Sequence, residues 1–278
     1  MIPGFTPIQK SSSTEGRTLA AAGSMLAGVL ANNAASSGLQ SLVSNEGAGM
    51  SHTSNTRIAK LLETVRKRYG IDVGYVHDPY IVGENAGFAT PEMMNSNIAG
   101  IDKVLNDPAT RNQSAPEYVH PSKRRAMISH VDELKKKMRN NGIIITGKHF
   151  KKPGTVEHEL GHAIAANKGN FIEQATAKYN VPSYSTAYHT LPSYMAALAG
   201  GSKSSLKGIL AGGLTGLLTD VPTIYSEYSA NKYGDKLIKP GSPQHAKAKA
   251  YGSYLSNAIL PFAVTGGLYG LAKRKLKL

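Results

Sequence analysis

The sequence predicts an α+β fold, mostly helical, in which a small sheet lies against one helix, with further Gly/Ala-rich apolar helices that are candidates for membrane association. Three observations predict it. Apolar residues recur at helical spacing, most clearly Ile58, Leu61, Leu62, Val65 and Tyr69. Short runs at 71–76, 85–90 and 143–146 have strand character and are bounded by turn formers. Stretches near both ends, 18–45 and 250–272, carry no charged residue and are rich in small side chains.

Taken in order, residues 1–54 form a Ser/Ala/Gly-rich leader, either a weakly apolar helix that meets a membrane or partner, or a flexible, removable segment. The start, Met1-Ile2-Pro3-Gly4-Phe5, lacks the basic-then-apolar arrangement of a cleaved secretory signal. Residues 55–240 form the core. It opens with a helix ending at Gly70, where a C-terminal cap belongs, followed by strands at 71–76 and 85–90. Within it, 91–141 reads as a loop-rich insertion: 91–120 shows no strong period, and a basic helix follows over Lys123–Arg139. Asn140-Asn141-Gly142 ends that helix, and the β-branched run Ile143–Thr146 is a buried strand candidate. Pro153-Gly154-Thr155 opens the next helix, with Thr155 as its N-cap, and Gly169 marks its latest end. Helical pieces follow at 194–200, 206–218 and 221–238.

Residues 241–278 form a C-terminal apolar helix with a basic tail. The run 250–272 has the length to cross a bilayer, for which about 20 apolar residues suffice, although Ser253, Ser256, Asn257 and Pro261 interrupt it. If it spans, the positive-inside rule puts Lys273–Leu278 on the cytoplasmic side.

The formal net charge is +14. Basic residues cluster at Lys123–Arg125, Lys135–Arg139 and Lys273–Lys277, which predicts contact with an anionic membrane surface or a solvated face. No aromatic residues interleave with the clusters as a base-stacking platform would need, so nucleic acid is an unfavoured partner. The absence of cysteine excludes disulfides, thiolate nucleophiles and Cys-ligated zinc.

Residues 158–162 read His-Glu-Leu-Gly-His. Histidines four apart project from one face of a helix, one turn apart, so both rings can reach one metal. The intervening Glu159 then stands beside that metal, close enough to serve as general base. One Zn2+ per chain suits such donors once a third ligand joins them. Glu227 is the favoured third ligand, with Glu173 and His189 as alternatives. Asn231, one turn beyond Glu227, can hydrogen-bond a ligand histidine and set its tautomer.

The motif His158–His162 with Glu227-x-x-Ala230-Asn231 resembles the gluzincin family of membrane-associated peptidases that contains the CAAX prenyl protease and the bacterial heat-shock membrane protease. Asn85-Ala86-Gly87-Phe88-Ala89 resembles that family's Asn-Ala-Phe-Ala segment with a glycine inserted, and the likeness covers roughly residues 55–236. The family usually carries aspartate where Asn231 stands, and its apolar pieces are longer. The resemblance implies a zincin-like core and a zinc-dependent endopeptidase.

The expected reaction is hydrolysis of a protein or peptide substrate by metal-activated water, with Glu159 as general base. The substrate would lie extended along the sheet edge. Tyr188, His189, Tyr225 and Tyr228 are the candidates for stabilising the oxyanion, and His149 reads as an ordinary surface histidine. A competing reading makes the chain a membrane-active or structural protein, such as a virion component, with a structural or vestigial metal site. Nucleic-acid binding through Lys123–Arg139 is a weaker third.

Overall fold

The computed structural model describes residues 14–46, 54–77, 86–147, 154–179, 190–238 and 247–276. It is mostly helical with one small sheet, as expected. The helices are α1 (Thr14–Glu46), α2 (Asn55–Tyr69), α3 (Pro91–Asn106), α4 (Pro121–Lys137), α5 (Thr155–Lys168), α6 (Phe171–Tyr179), α7 (Leu191–Gly201), α8 (Ser205–Gly234) and α9 (Lys247–Leu276). The strands are β1 (Gly74–His77), β2 (Ala86–Ala89) and β3 (Ile143–Thr146). The chain forms two compact units: Gly47–Lys178 with Tyr225–His245, and Met1–Glu46 with Tyr179–Ile224 and Ala246–Leu278.

In the first unit the sheet order is β1-β3-β2, with β1 parallel and β2 antiparallel to β3. The centre strand is buried throughout, as its all-β-branched sequence requires. Its side chains alternate between two cores. Ile144 packs with Ile58, Val65, Leu160 and Ile164 from α2 and α5. Ile143 and Ile145 pack with Met94, Ile98, Val131 and Leu134 from α3 and α4. The sheet is therefore covered on both faces. Ser54 caps α2 by accepting from the Arg57 amide, and Gly70 ends it at φ 66°, a conformation that costs glycine little.

Two local expectations are corrected. Residues 91–106, read as loop, are helix: Thr90 caps α3, Pro91 starts it, and Met94, Ile98 and Leu105 are buried. Its outer face carries Asn95, Ser96, Asn97 and Gly100, all poor helix formers, so tertiary packing decided the outcome against propensity. The N-cap of α5 is Gly154 rather than Thr155. Gly154 has φ 92°, and its amide donates to the Glu157 carboxylate at 3.0 Å, so the cap comes from inside the helix.

The second unit packs α1, α7, α9 and the part of α8 up to Ile224. The expected break between 218 and 221 does not occur; α8 runs on through Pro222. Its close contacts are made by small residues. Added side-chain carbon at Gly208, Gly212 or Gly216 would strike the backbone of Gly266, Phe262 or Ala258 in α9, and at Gly28 that of Pro261. A small cluster of Tyr194, Ala197 and Phe262, with Met25 against it, fills the remaining centre. Among the described residues no helix is long and apolar enough to cross a membrane.

Candidate metal centre

Helix α5 presents the motif from a buried position, held at its start by Glu157. That carboxylate is fully buried, accepts from the Gly154 amide and pairs with Arg57 of α2 at 2.8 Å. Across from α5 runs the end of α8. The two backbones meet directly: a Cβ at Gly161 would collide with the carbonyl of Ala230, and one at Gly234 would lie 2.7 Å from the carbonyl oxygen of Glu157. Glycine at both places lets the helices approach closely enough for Glu227 to reach both histidines.

The His158 and His162 rings stand 4.8 Å apart, centre to centre, at 86°. The Glu227 carboxylate faces both, with Oε2 at 3.1 Å from His158 Nε2 and Oε1 at 3.5 Å from His162 Nε2. One ligand atom from each of the three side chains lies within 4.8 Å of the others, so together they could hold a metal ion. Glu227 Oε2 is buried and, despite its nearness to His158, has no hydrogen bond of acceptable alignment. A cation held between the rings and the carboxylate would satisfy that oxygen.

The outer ring nitrogens are also occupied. Asn231 Oδ1 lies 3.0 Å from His158 Nδ1, and Ser226 Oγ lies 3.4 Å from His162 Nδ1. An amide oxygen only accepts, so with this orientation His158 carries a proton on Nδ1, and Nε2 is the nitrogen that faces Glu227. Burial alone would push His158 down. The Glu227 carboxylate that faces the ring, the charge of Glu159, and Asn231 outweigh it, and its pKa is pushed up to about 9. Burial likewise pushes Glu227 up, and the two imidazoles outweigh it, holding the carboxyl well below the usual range. The Glu227 carboxylate thus favours positive charge on the rings it faces. Glu159 is buried beside His158 and adds to that field.

The structure thus brings together His158, His162, Glu227 and Asn231, with Glu159 alongside. It removes Glu173 from the candidate ligands. On α6 that carboxylate accepts from Lys232 Nζ at 2.9 Å, Tyr233 Oη at 3.0 Å and the Asn170 amide at 2.7 Å. His149, Tyr188 and His189 lie outside the described residues. Tyr225 and Tyr228 face each other with ring centres 6.1 Å apart, and Tyr228 is exposed. Sequence reasoning missed Ser226, which nothing in the sequence separates from other serines. It also missed the packing role of Gly161, although a glycine inside the motif is itself a sign of close approach.

No protein-family model matches the chain, and neither curated proteins nor solved structures give a significant match.

Proposed function

We propose that the chain is a zinc-dependent metalloendopeptidase with a zincin-like core. The observation that carries this reading is the convergence of His158 Nε2, His162 Nε2 and the buried, unpartnered carboxylate oxygen of Glu227. Two imidazoles and one carboxylate are a donor set suited to zinc with one position left open. When bound, zinc supplies Lewis acidity that polarises a carbonyl and lowers the pKa of water.

The remaining work falls to the chain. Asn231 and Ser226 hold the two rings in register. Glu159 takes a proton from the attacking water and passes it to the leaving amine. A structural metal site has no use for such a base, which favours catalysis over a vestigial site. Of the two sheet edges, β2 is the one packed against α5. An extended peptide adding to β2 as a further strand would pass beside the motif.

The test is proteolysis by purified chain with and without chelator, together with Glu159→Gln. Activity that chelation abolishes and zinc restores, and that Glu159→Gln loses while keeping metal and fold, supports the reading. Undiminished cleavage by that variant rejects it.

A further inference from the structure

In the four-helix unit the usual distribution of side chains on a helix is reversed. On α8, Leu206, Leu210, Leu214 and Leu218 recur every four residues and form one stripe. Leu206 is 65% exposed, Leu214 58% and Leu218 70%. Gly208, Gly212 and Gly216 are offset from that stripe by two residues, about 200° round the helix, and they make the packed face. A helix folded for water buries its large apolar side chains and shows its polar ones. This one buries glycine and shows leucine. That arrangement suits an apolar solvent, in which burying leucine brings nothing and close backbone contact is what packs helices. Parts of α1 and α9 repeat it: Leu26 and Leu30 of α1 and Leu268 of α9 are exposed, while Gly28 and Gly266 sit in contacts.

One end of the unit is basic. Lys273 Nζ donates to the Ser202 carbonyl, which joins the end of α9 to the turn between α7 and α8. Lys203, Lys207, Arg274 and Lys275 are exposed at that end. The Thr265 hydroxyl donates to the Ser24 carbonyl and Gly28 meets Pro261, so α1 runs antiparallel to α9 and brings Arg17 to the same end. Glu15 is the carboxylate there among the described residues.

We propose that the leucine flank of this unit lies among the acyl chains of a phospholipid bilayer, with its basic end at anionic headgroups. The proposal is independent of the metal centre. It requires no spanning helix, because the apolar surface belongs to the packed unit and not to one segment.

The lack of cysteine allows a direct test in the full chain. A Leu214→Cys variant and a Gln113→Cys control each take one environment-sensitive fluorophore. Vesicles of phosphatidylcholine with 30% phosphatidylglycerol should shift emission at 214 to the blue, and spin-labelled acyl chains should quench it, while the label at 113 responds to neither. Replacing Lys203, Lys207, Lys273, Arg274 and Lys275 by glutamine should weaken partitioning to those vesicles by tenfold or more. An unshifted label at 214 overturns the proposal. So does a shift that needs no lipid and grows with protein concentration, which assigns the flank to a second copy of the chain. Equal partitioning of the native chain to neutral and anionic vesicles overturns the headgroup assignment.

Discussion

The carbonyl of Ala230 leaves no room for a side chain at Gly161. This contact sets how closely the helix bearing Glu227 approaches the helix bearing His158 and His162. Gly161→Ala is expected to push the two helices apart and destabilise the fold by about 1–3 kcal/mol, the usual cost of overpacking. Its sharper consequence is on metal, because the proposed ligands come from both helices. Equilibrium dialysis should show weaker zinc binding by a variant that circular dichroism shows to be folded. Wild-type affinity in Gly161→Ala would show that the contact does not set the ligand distance.

Asn231 should matter to the metal more than to the fold. Asn231→Leu leaves His158 Nδ1 without its acceptor. Loss of such a partner typically weakens metal binding by about 10–100-fold. Competition against a chelator of known affinity measures this, and Asn231→Asp, which keeps an acceptor, should retain most of it. Ser226→Ala removes the longer contact to His162 and should have the smaller effect. Equal losses in Ser226→Ala and Asn231→Leu would contradict the distances.

Arg57 is the charged partner of a fully buried carboxylate. Arg57→Ala leaves Glu157 with its hydrogen bond from the Gly154 amide but no opposite charge, and stranding a buried charge costs roughly 3 kcal/mol. Thermal unfolding should show a large drop in Tm, and Arg57→Ala with Glu157→Leu should recover part of it. A double variant as unstable as the single one would disprove the pairing argument.

Glu173 gives the acid limb of stability. Burial pushes its carboxyl up. Lys232, the Asn170 amide and Tyr233 outweigh that and hold its pKa below the ordinary value of about 4.3. The unfolded chain therefore takes up the proton at higher pH than the folded one. The contribution is present above about pH 4.3 and is lost as pH falls through the lower folded value. Stability profiles of wild type and Glu173→Gln should lie apart at neutral pH and converge below pH about 4. Parallel profiles would remove Glu173 from the account.

The sequence by itself determined what depends on local period and on residue chemistry. Two histidines four apart must share a helix face, Gly70 must end α2, and Ile143–Thr146 reads as a buried strand. It named Glu227 and Asn231 from a repeat of that spacing, but it left Glu173 and His189 open as ligands. Local period is silent about which remote segment packs where. Tertiary structure turns Glu173 to Lys232 and Tyr233 and sets Glu227 beside both histidines by bringing α8 against α5 through glycine, while His189 lies outside the described residues. It also made a helix of 91–106, because burial of Met94, Ile98 and Leu105 outweighs weak propensity. Finally, only exposure in the folded chain revealed that α8 turns its glycines inward and its leucines outward. The same residues at the same spacing fit a water-soluble helix equally well until the packed face is known.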